Sequence, residues 1–261
     1  MKPQLNVLVL MAGGSDAFKE AGYLLPKNLI EIQGAPAIQK VIENLQSLSQ
    51  KFSAKLHFLV NREECARYHT QLIIRLLAPE AVIIELQGPT AGAACTALLG
   101  IEYVDNDTPL LIVNGDDLLL ADLSSLVAEF QHQDLDGGIP VFESVHPRWS
   151  YVKVNNEGLV VEAAEKMPIS NLATAGMYYF KRGSDMVLAA RGMIRKQAHV
   201  NGQYYVCPSY NELILQQRKI GVAKVPRASY FSLKNPQGLD EYQDYLRSRT
   251  PTRTNDENVS A

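Results

Sequence analysis

Through the first half of the chain, short apolar runs that stop at Gly, Asn or Asp alternate with stretches whose apolar residues recur every three or four positions. The continuous runs read as strands buried on both faces, and the longer spacing reads as helices with one buried stripe. The strand runs are residues 5–12, 55–60, 81–85 and 109–113. Between the first two, Pro36 opens a helix that carries Ala37, Ile38, Val41, Ile42, Leu45 and Leu48 at helical spacing. A second helix is expected after Asn61, with Cys65, Tyr68, His69, Leu72, Ile73 and Leu76 on one stripe and Pro79 beyond its end. A third begins near Thr90 and runs through Ala94 and Leu98. A fourth follows Asp122 as its cap, with Leu123, Leu126, Val127 and Phe130 inward. Repeated β-α units predict a three-layer α/β/α fold around a mostly parallel, mixed central sheet.

After Gly137 the texture shifts to shorter runs, 138–145, 151–154, 160–165 and 172–180, which read as strands of a mixed sheet. Helices are expected over 182–196 and 209–217, and a last one from Asn235-Pro236 with Leu239, Tyr242 and Leu246 inward. Residues 247–261 are polar without an apolar stripe and read as a disordered tail, which leaves one globular domain over 1–246. No internal repeat is present.

Composition narrows the classes. The chain has 261 residues, 46% hydrophobic and 20% charged, enough for a sizeable core. Lys plus Arg is 25 and Asp plus Glu 28, for a net charge of -3, which speaks against a broad basic face for nucleic acid. Cys65, Cys95 and Cys207 are far apart, without the spacing of a zinc cluster or a disulfide framework, and Cys207 reads as packing. The five histidines form no HxH or HxxxH pattern, so zinc is not expected. The apolar start at Val7 to Ala12 is too short for a leader, and no run of about 18 apolar residues occurs. A soluble, cytoplasmic protein without a membrane partner is expected.

Several segments suggest chemistry. Gly13 and Gly14 follow the first strand, where bare backbone amides suit phosphate oxygens or simply make a tight turn. Pro26-Lys27 places a cation at the far end of the same loop. The run Gln87-Gly88-Pro89-Thr90-Ala91-Gly92-Ala93-Ala94 leads into a helix of small residues; it either lies under a flat base or is a packed helix capped by Thr90. Leu110 to Val113 end in Asn114-Gly115-Asp116-Asp117, two carboxylates where ligands bind in open α/β sheets, or a solvated turn.

These segments, in this order, resemble the sugar-phosphate nucleotidylyltransferases, or nucleotide-sugar pyrophosphorylases. Leu10, Met11, Ala12 and Gly13 match the start of the L-x-A-G-x-G-x-R loop of that family; Pro26 and Lys27 match its P-K, and Gly34 with Pro36 its G-x-P. Ala17 stands where the family has its loop arginine, beside the acidic Asp16, with Lys19 as the nearest replacement charge. Residues 87–94 resemble the base-recognition loop, and Asn114-Gly115-Asp116 the metal-binding turn. Glu165-Lys166 resembles the strand end where Glu faces the sugar and Lys the acceptor phosphate, with Met167 interrupting the usual Lys-Pro. Gly176 matches a glycine that approaches the sugar. Asn211 and Glu212 fall near the acceptor pocket of relatives, although Ser209 with Glu212 also makes a capping box. The region 229–236, where many relatives supply a second metal-binding aspartate, has no acidic residue.

The resemblance implies a Rossmann-like fold of the nucleotide-diphospho-sugar transferase type, with a nucleotide-binding half to about residue 136 and an acceptor-binding half over about 137–246. It implies an Mg²⁺-dependent transfer of a nucleoside monophosphate from an NTP to a small phosphorylated acceptor such as a sugar phosphate, as in nucleotide-sugar supply for polysaccharides. Lys27, Asp116 and Lys166 are the catalytic candidates, with Asp116 as metal ligand. Leu10, Ala12, Gly13, Gly14, Lys27, Gln87, Thr90, Ala91, Gly92 and Asn114 are the nucleotide candidates, and Glu165, Lys166, Gly176 and Asn211 the acceptor candidates. Two other readings stay open: a glycosyltransferase that grips a nucleotide sugar through Asp116 and Asp117, and a non-catalytic binding protein. A homo-oligomer is allowed.

Overall fold

The computed structural model describes residues 1–249 of the 261. The first half forms β1 (Gln4–Met11), α1 (Asp16–Glu20), β2 (Glu31–Ile32), β3 (Ala35–Pro36), α2 (Ala37–Leu45), β4 (Ser53–Asn61), α3 (Arg62–Tyr68) and α4 (Thr70–Leu77). It continues with β5 (Val82–Leu86), α5 (Ala93–Leu98), α6 (Ile101–Val104), β6 (Leu110–Asn114), β7 (Asp117–Leu119) and α7 (Leu123–His132). The second half forms β8 (Gly137–Glu143), β9 (Ser150–Val154), β10 (Val160–Glu165), β11 (Leu172–Thr174), β12 (Met177–Phe180) and α8 (Gly183–Arg195). It ends with α9 (Val206–Ile214), β13 (Ile220–Lys224), β14 (Tyr230–Ser232) and α10 (Pro236–Arg249).

The central sheet runs β10-β9-β11-β8-β12-β6-β1-β4-β5, with β13 beside β8. Its longest ladder is parallel, β1 on β4, and β6 and β5 continue in the same sense; β12, β11, β9 and β10 pair antiparallel. This is the mixed, mostly parallel sheet between helices that the apolar runs predict. β1 shows why the run is continuous. Val7, Val9 and Met11 belong to the core on one face with Ile38, Val41 and Val127, while Leu8 and Leu10 belong to the core on the other with Ala97, Met186 and Tyr210. A strand between two cores has no polar side to show.

Four expectations are corrected. The helix after Asn61 breaks at His69, whose φ of 56° ends α3 in the left-handed region. The break turns the stripe, so that Thr70 and Ile74 are buried and Leu72 and Leu76 are exposed. The run 172–180 is two strands, because Gly176 at φ 65° redirects the chain between β11 and β12. The helix expected from Ser209 starts at Val206; the Ser209 hydroxyl donates to the Val206 carbonyl inside the helix and Glu212 pairs with Lys196, so no capping box forms. The helix near Thr90 starts at Ala93 with Gly92 as its cap, at φ 109°. A Cβ on Gly92 would lie 2.4 Å from the Tyr204 carbonyl oxygen, an approach only glycine permits. By contrast Asp122 does cap its helix, accepting from the Ser125 amide. Of the expected tail, 247–249 continue α10 and 250–261 lie outside the described residues.

Candidate active site

The carboxyl ends of β1 and β6 lie side by side, with Leu10 opposite Asn114 in the ladder and the Gly115 amide donating to the Leu10 carbonyl at 2.9 Å. That pairing sets the glycine loop after β1 beside the turn that carries the two aspartates. A cleft of about 470 Å³ opens above them. Leu10, Ala12, Gly13, Gly14, Thr90, Gly92, Asn114, Asp116 and Glu165 line it, so nine of the candidates share one wall system drawn from both halves of the chain. Adjoining it through Asn114, Glu165 and Lys234 is a second cavity of about 210 Å³, which reaches Asp117, Gly176 and Trp149.

Lys27 is turned inward by its local backbone. Pro26 holds an extended conformation ahead of a short 3-10 turn over Lys27–Leu29, and the Ser15 hydroxyl accepts from the Lys27 amide at 3.0 Å. The side chain is 7% exposed, and its Nζ sits 2.6 Å from Asp116 Oδ2. A Cβ on Gly13 would come 3.0 Å from the same Nζ, so the glycine loop lies directly on this ammonium.

On the other side of Asp116 stands Lys234, a residue the sequence reading passed over. β14 pairs antiparallel with β7 so that Ser232 faces Asp117, and the Leu233 amide donates to the Asp116 carbonyl at 2.6 Å. The next residue therefore reaches the aspartates: Lys234 Nζ lies 3.1 Å from Asp117 Oδ2 and 3.9 Å from Asp116 Oδ1. Asp117 Oδ2 also accepts from Asn114 Nδ2 at 2.7 Å, while its buried Oδ1 has no partner. Burial opposes ionisation of Asp116, but Lys27 and then Lys234 overcome it and hold the carboxyl below its ordinary pKa. Desolvation likewise works against the Lys234 ammonium, and Asp117 with Asp116 outweighs it, holding that pKa above its ordinary value. One signal was legible: a lysine just ahead of a helix N-terminus opposes the helix dipole and wants a local reason.

Glu165 is buried, accepts from the Ser150 hydroxyl, and has its carboxyl pushed up by desolvation. Lys166 follows it at φ 54°, exposed, and donates at 3.1 Å to the hydroxyl of Tyr205, which lines the cleft. Other candidates lie off the cleft. Gln87 is tied to Arg62 at 2.8 Å, and the Ala91 carbonyl accepts from the Tyr204 amide. Asn211 spends its amide on the Ala163 backbone, accepting at 2.9 Å and donating at 2.8 Å. Lys19 pairs with Asp16 at 3.5 Å and lines an outer groove on the far side of the loop.

A divalent cation expected at Asp116 meets a setting already balanced in charge. Two carboxylates face two ammonium groups, and no group of three or more His, Cys, Asp or Glu suited to a metal occurs among the described residues. A cation placed between the aspartates would meet the like charge of Lys234. The side chains present do not fit a metal held by the protein alone.

A glycine loop, a buried lysine and a strand-end aspartate thus meet at the carboxyl edge of a mixed sheet, the place where open α/β folds bind their ligands. The chain matches the nucleotidyl transferase family over residues 7–212 and belongs to it. It is similar to the bifunctional protein GlmU of Methanocaldococcus jannaschii, 26% identical over 183 residues, 68% of this chain and 40% of that protein. It thus spans about 40% of the length of such relatives. It is also similar to the UTP–glucose-1-phosphate uridylyltransferase AglF of Haloferax volcanii, 23% identical over 259 residues, 96% of this chain and 100% of that one. Among solved structures, the nucleoside-diphosphate-sugar pyrophosphorylase of Vibrio cholerae RC9 superposes with a TM-score of 0.77 at 28% identity, over 93% of this chain and 99% of that one. No helix among the described residues is long and apolar enough to cross a membrane.

Proposed function

We propose that this chain transfers a nucleoside monophosphate from a nucleoside triphosphate to a sugar phosphate and releases pyrophosphate. The observation that carries the reading is the row Lys27, Asp116, Lys234 beneath the glycine loop, a fixed charge array where phosphates would lie, in a chain of this family. The base lies against Thr90, Gly92 and Ala93, whose small side chains leave a flat wall. The acceptor enters the adjoining cavity, its hydroxyls toward Glu165 and its phosphate toward the α-phosphorus, with the exposed Lys166 next in the chain to Glu165. In this reading the half before about residue 136 supplies most of the nucleotide contacts and the half after it most of the acceptor contacts, with each cavity lined from both.

In the reaction an oxygen of the acceptor phosphate attacks the α-phosphorus in line. The new P–O bond forms as the bond from that phosphorus to the bridging oxygen breaks, and the electron pair leaves with pyrophosphate. The acceptor phosphate is its own nucleophile, so no side chain needs to take a proton. Lys27 and Lys234 counter the charge, and the cleft supplies orientation. Mg²⁺ belongs to this reading as part of the triphosphate substrate, whose oxygens and waters make up most of the shell it prefers. Nucleoside triphosphates and sugar phosphates are cytoplasmic metabolites, so the reaction is assigned there.

The test is pyrophosphate release from each common triphosphate against a panel of hexose 1-phosphates. One productive pair, lost in Asp116→Asn, supports the reading. Turnover of a nucleotide sugar onto an acceptor hydroxyl without pyrophosphate would replace it with the glycosyltransferase.

A further inference from the structure

We propose that Lys234 is the protein's own cation at the phosphate site: its ammonium fills the place between Asp116 and Asp117 that a protein-bound divalent metal would need, so the free protein holds no metal there and takes a polyphosphate without one. The inference rests on the proposed transferase reading only for the identity of the polyphosphate.

Three observations carry it. The first is charge: three of the four carboxylate oxygens of the two aspartates face Lys27 or Lys234, the fourth being the buried Asp117 Oδ1, and these four side chains together sum to zero. A divalent cation gains most where carboxylates are unneutralised, and here it would approach an ammonium instead. The second is fixation. Asp117 is held by Asn114 at 2.7 Å, and a Cβ on Gly176 would come 2.3 Å from its Oδ2, so the carboxylate is wedged where it meets Lys234. The third is donor count. An ammonium has three donors. Lys234 gives one to Asp117 at 3.1 Å, its 3.9 Å separation from Asp116 is too long for a hydrogen bond, and its side chain lines the cleft. Lys234 therefore retains donors for a ligand oxygen.

The chain supplies this cation deliberately in the physical sense that local forces oppose it. Lys234 sits two residues before Pro236, the first residue of α10, where the helix dipole disfavours positive charge. The β7–β14 pairing nevertheless pins it over the aspartates.

Mn²⁺ titration of the full chain, read by electron paramagnetic resonance without nucleotide, tests the first half. Wild type and Lys234→Arg are expected to bind no Mn²⁺ in the millimolar range, whereas Lys234→Met opens the aspartate pair and gains a site. Mn²⁺ bound by wild type alone overturns the inference even if the methionine variant fails to fold; a folded methionine variant that gains no site also overturns it. Calorimetric titration with a panel of triphosphates, in EDTA and again with Mg²⁺, tests the second half. Wild type is expected to bind in EDTA, and Lys234→Met to bind about tenfold or more weakly there, with affinity restored in part by Mg²⁺. Binding by wild type that appears only with Mg²⁺ overturns the inference and leaves the transferase reading standing. Absence of triphosphate binding under both conditions overturns the transferase reading, and the Mn²⁺ titration then decides the inference.

Discussion

Gly176 lies so close to Asp117 that a Cβ on the glycine would come within 2.3 Å of the carboxylate oxygen Oδ2. The glycine also holds φ 65°, and its carbonyl accepts from the Asn114 amide at 3.3 Å, so it joins the end of β6 to the start of β12. Backbone and side chain thus constrain one point from two directions. Gly176→Ala is expected to lower stability by roughly 1–3 kcal/mol through strain and to displace Asp117. Pyrophosphate release should fall further than the folded fraction does. A chemical denaturation curve and an activity assay on the same sample check this, and a variant with wild-type values for both refutes it.

The Lys27–Asp116 pair couples chemistry to stability. Both side chains are about nine-tenths buried, so removing one leaves the other as an uncompensated charge. Asp116→Ala is expected to abolish turnover and also to cost on the order of 3 kcal/mol of stability. The double variant Lys27→Met/Asp116→Asn should recover much of that stability while staying inactive. Urea midpoints of the two proteins decide it: an Asp116→Ala midpoint equal to wild type would mean the buried lysine finds another partner.

His57 gives the fold a pH dependence independent of the cleft. Its ring is buried beside Tyr103 at 5.0 Å, neither nitrogen has a partner, and desolvation followed by Lys55 pulls its pKa down from 6.5 to about 4. The unfolded chain then binds the proton more tightly than the folded one. Stability from this group is complete above the unfolded value of 6.5 and is lost as pH falls toward 4. Between about pH 7 and about pH 5 the loss is roughly 2 kcal/mol. His57→Phe should flatten the dependence by about that amount in urea denaturation, and an unchanged slope would assign it elsewhere.

The parallel half of the fold was legible because β1, β4 and β6 lie between two cores and so carry unbroken apolar runs. What the pattern missed depends on single backbone turns. His69 enters the left-handed region and rotates the stripe of α4, and Gly176 does the same between β11 and β12. The glycine loop and Asp116 were legible because a strand end fixes each of them locally, and Lys27 because Pro26 and the short 3-10 turn fix it in the same way. Lys234 gave only the faint signal of a lysine ahead of α10, since its ion pair with Asp117 spans 117 residues and forms once β14 lies against β7. The segment 229–236 carries no acid, and nothing local in it marks its lysine as facing two carboxylates.

Lys166 and Asn211, both acceptor candidates in the sequence, part company in the structure and should part in experiment. Lys166 is exposed, its side chain resting on the Tyr205 hydroxyl and ring. Lys166→Ala is expected to raise the acceptor KM by about tenfold, the value of one charge-assisted contact, with little change in melting temperature or nucleotide KM. Asn211 instead ties α9 to β10 through two bonds to the Ala163 backbone, both partly buried. Asn211→Ala leaves those backbone groups unpaired and should cost about 1–3 kcal/mol of stability. The acceptor KM of its folded fraction should stay near wild type, because the amide faces the strand and not the cleft. Paired melting curves and acceptor titrations of the two variants separate the roles: an Asn211→Ala protein of normal stability with a weakened acceptor would return Asn211 to the binding site.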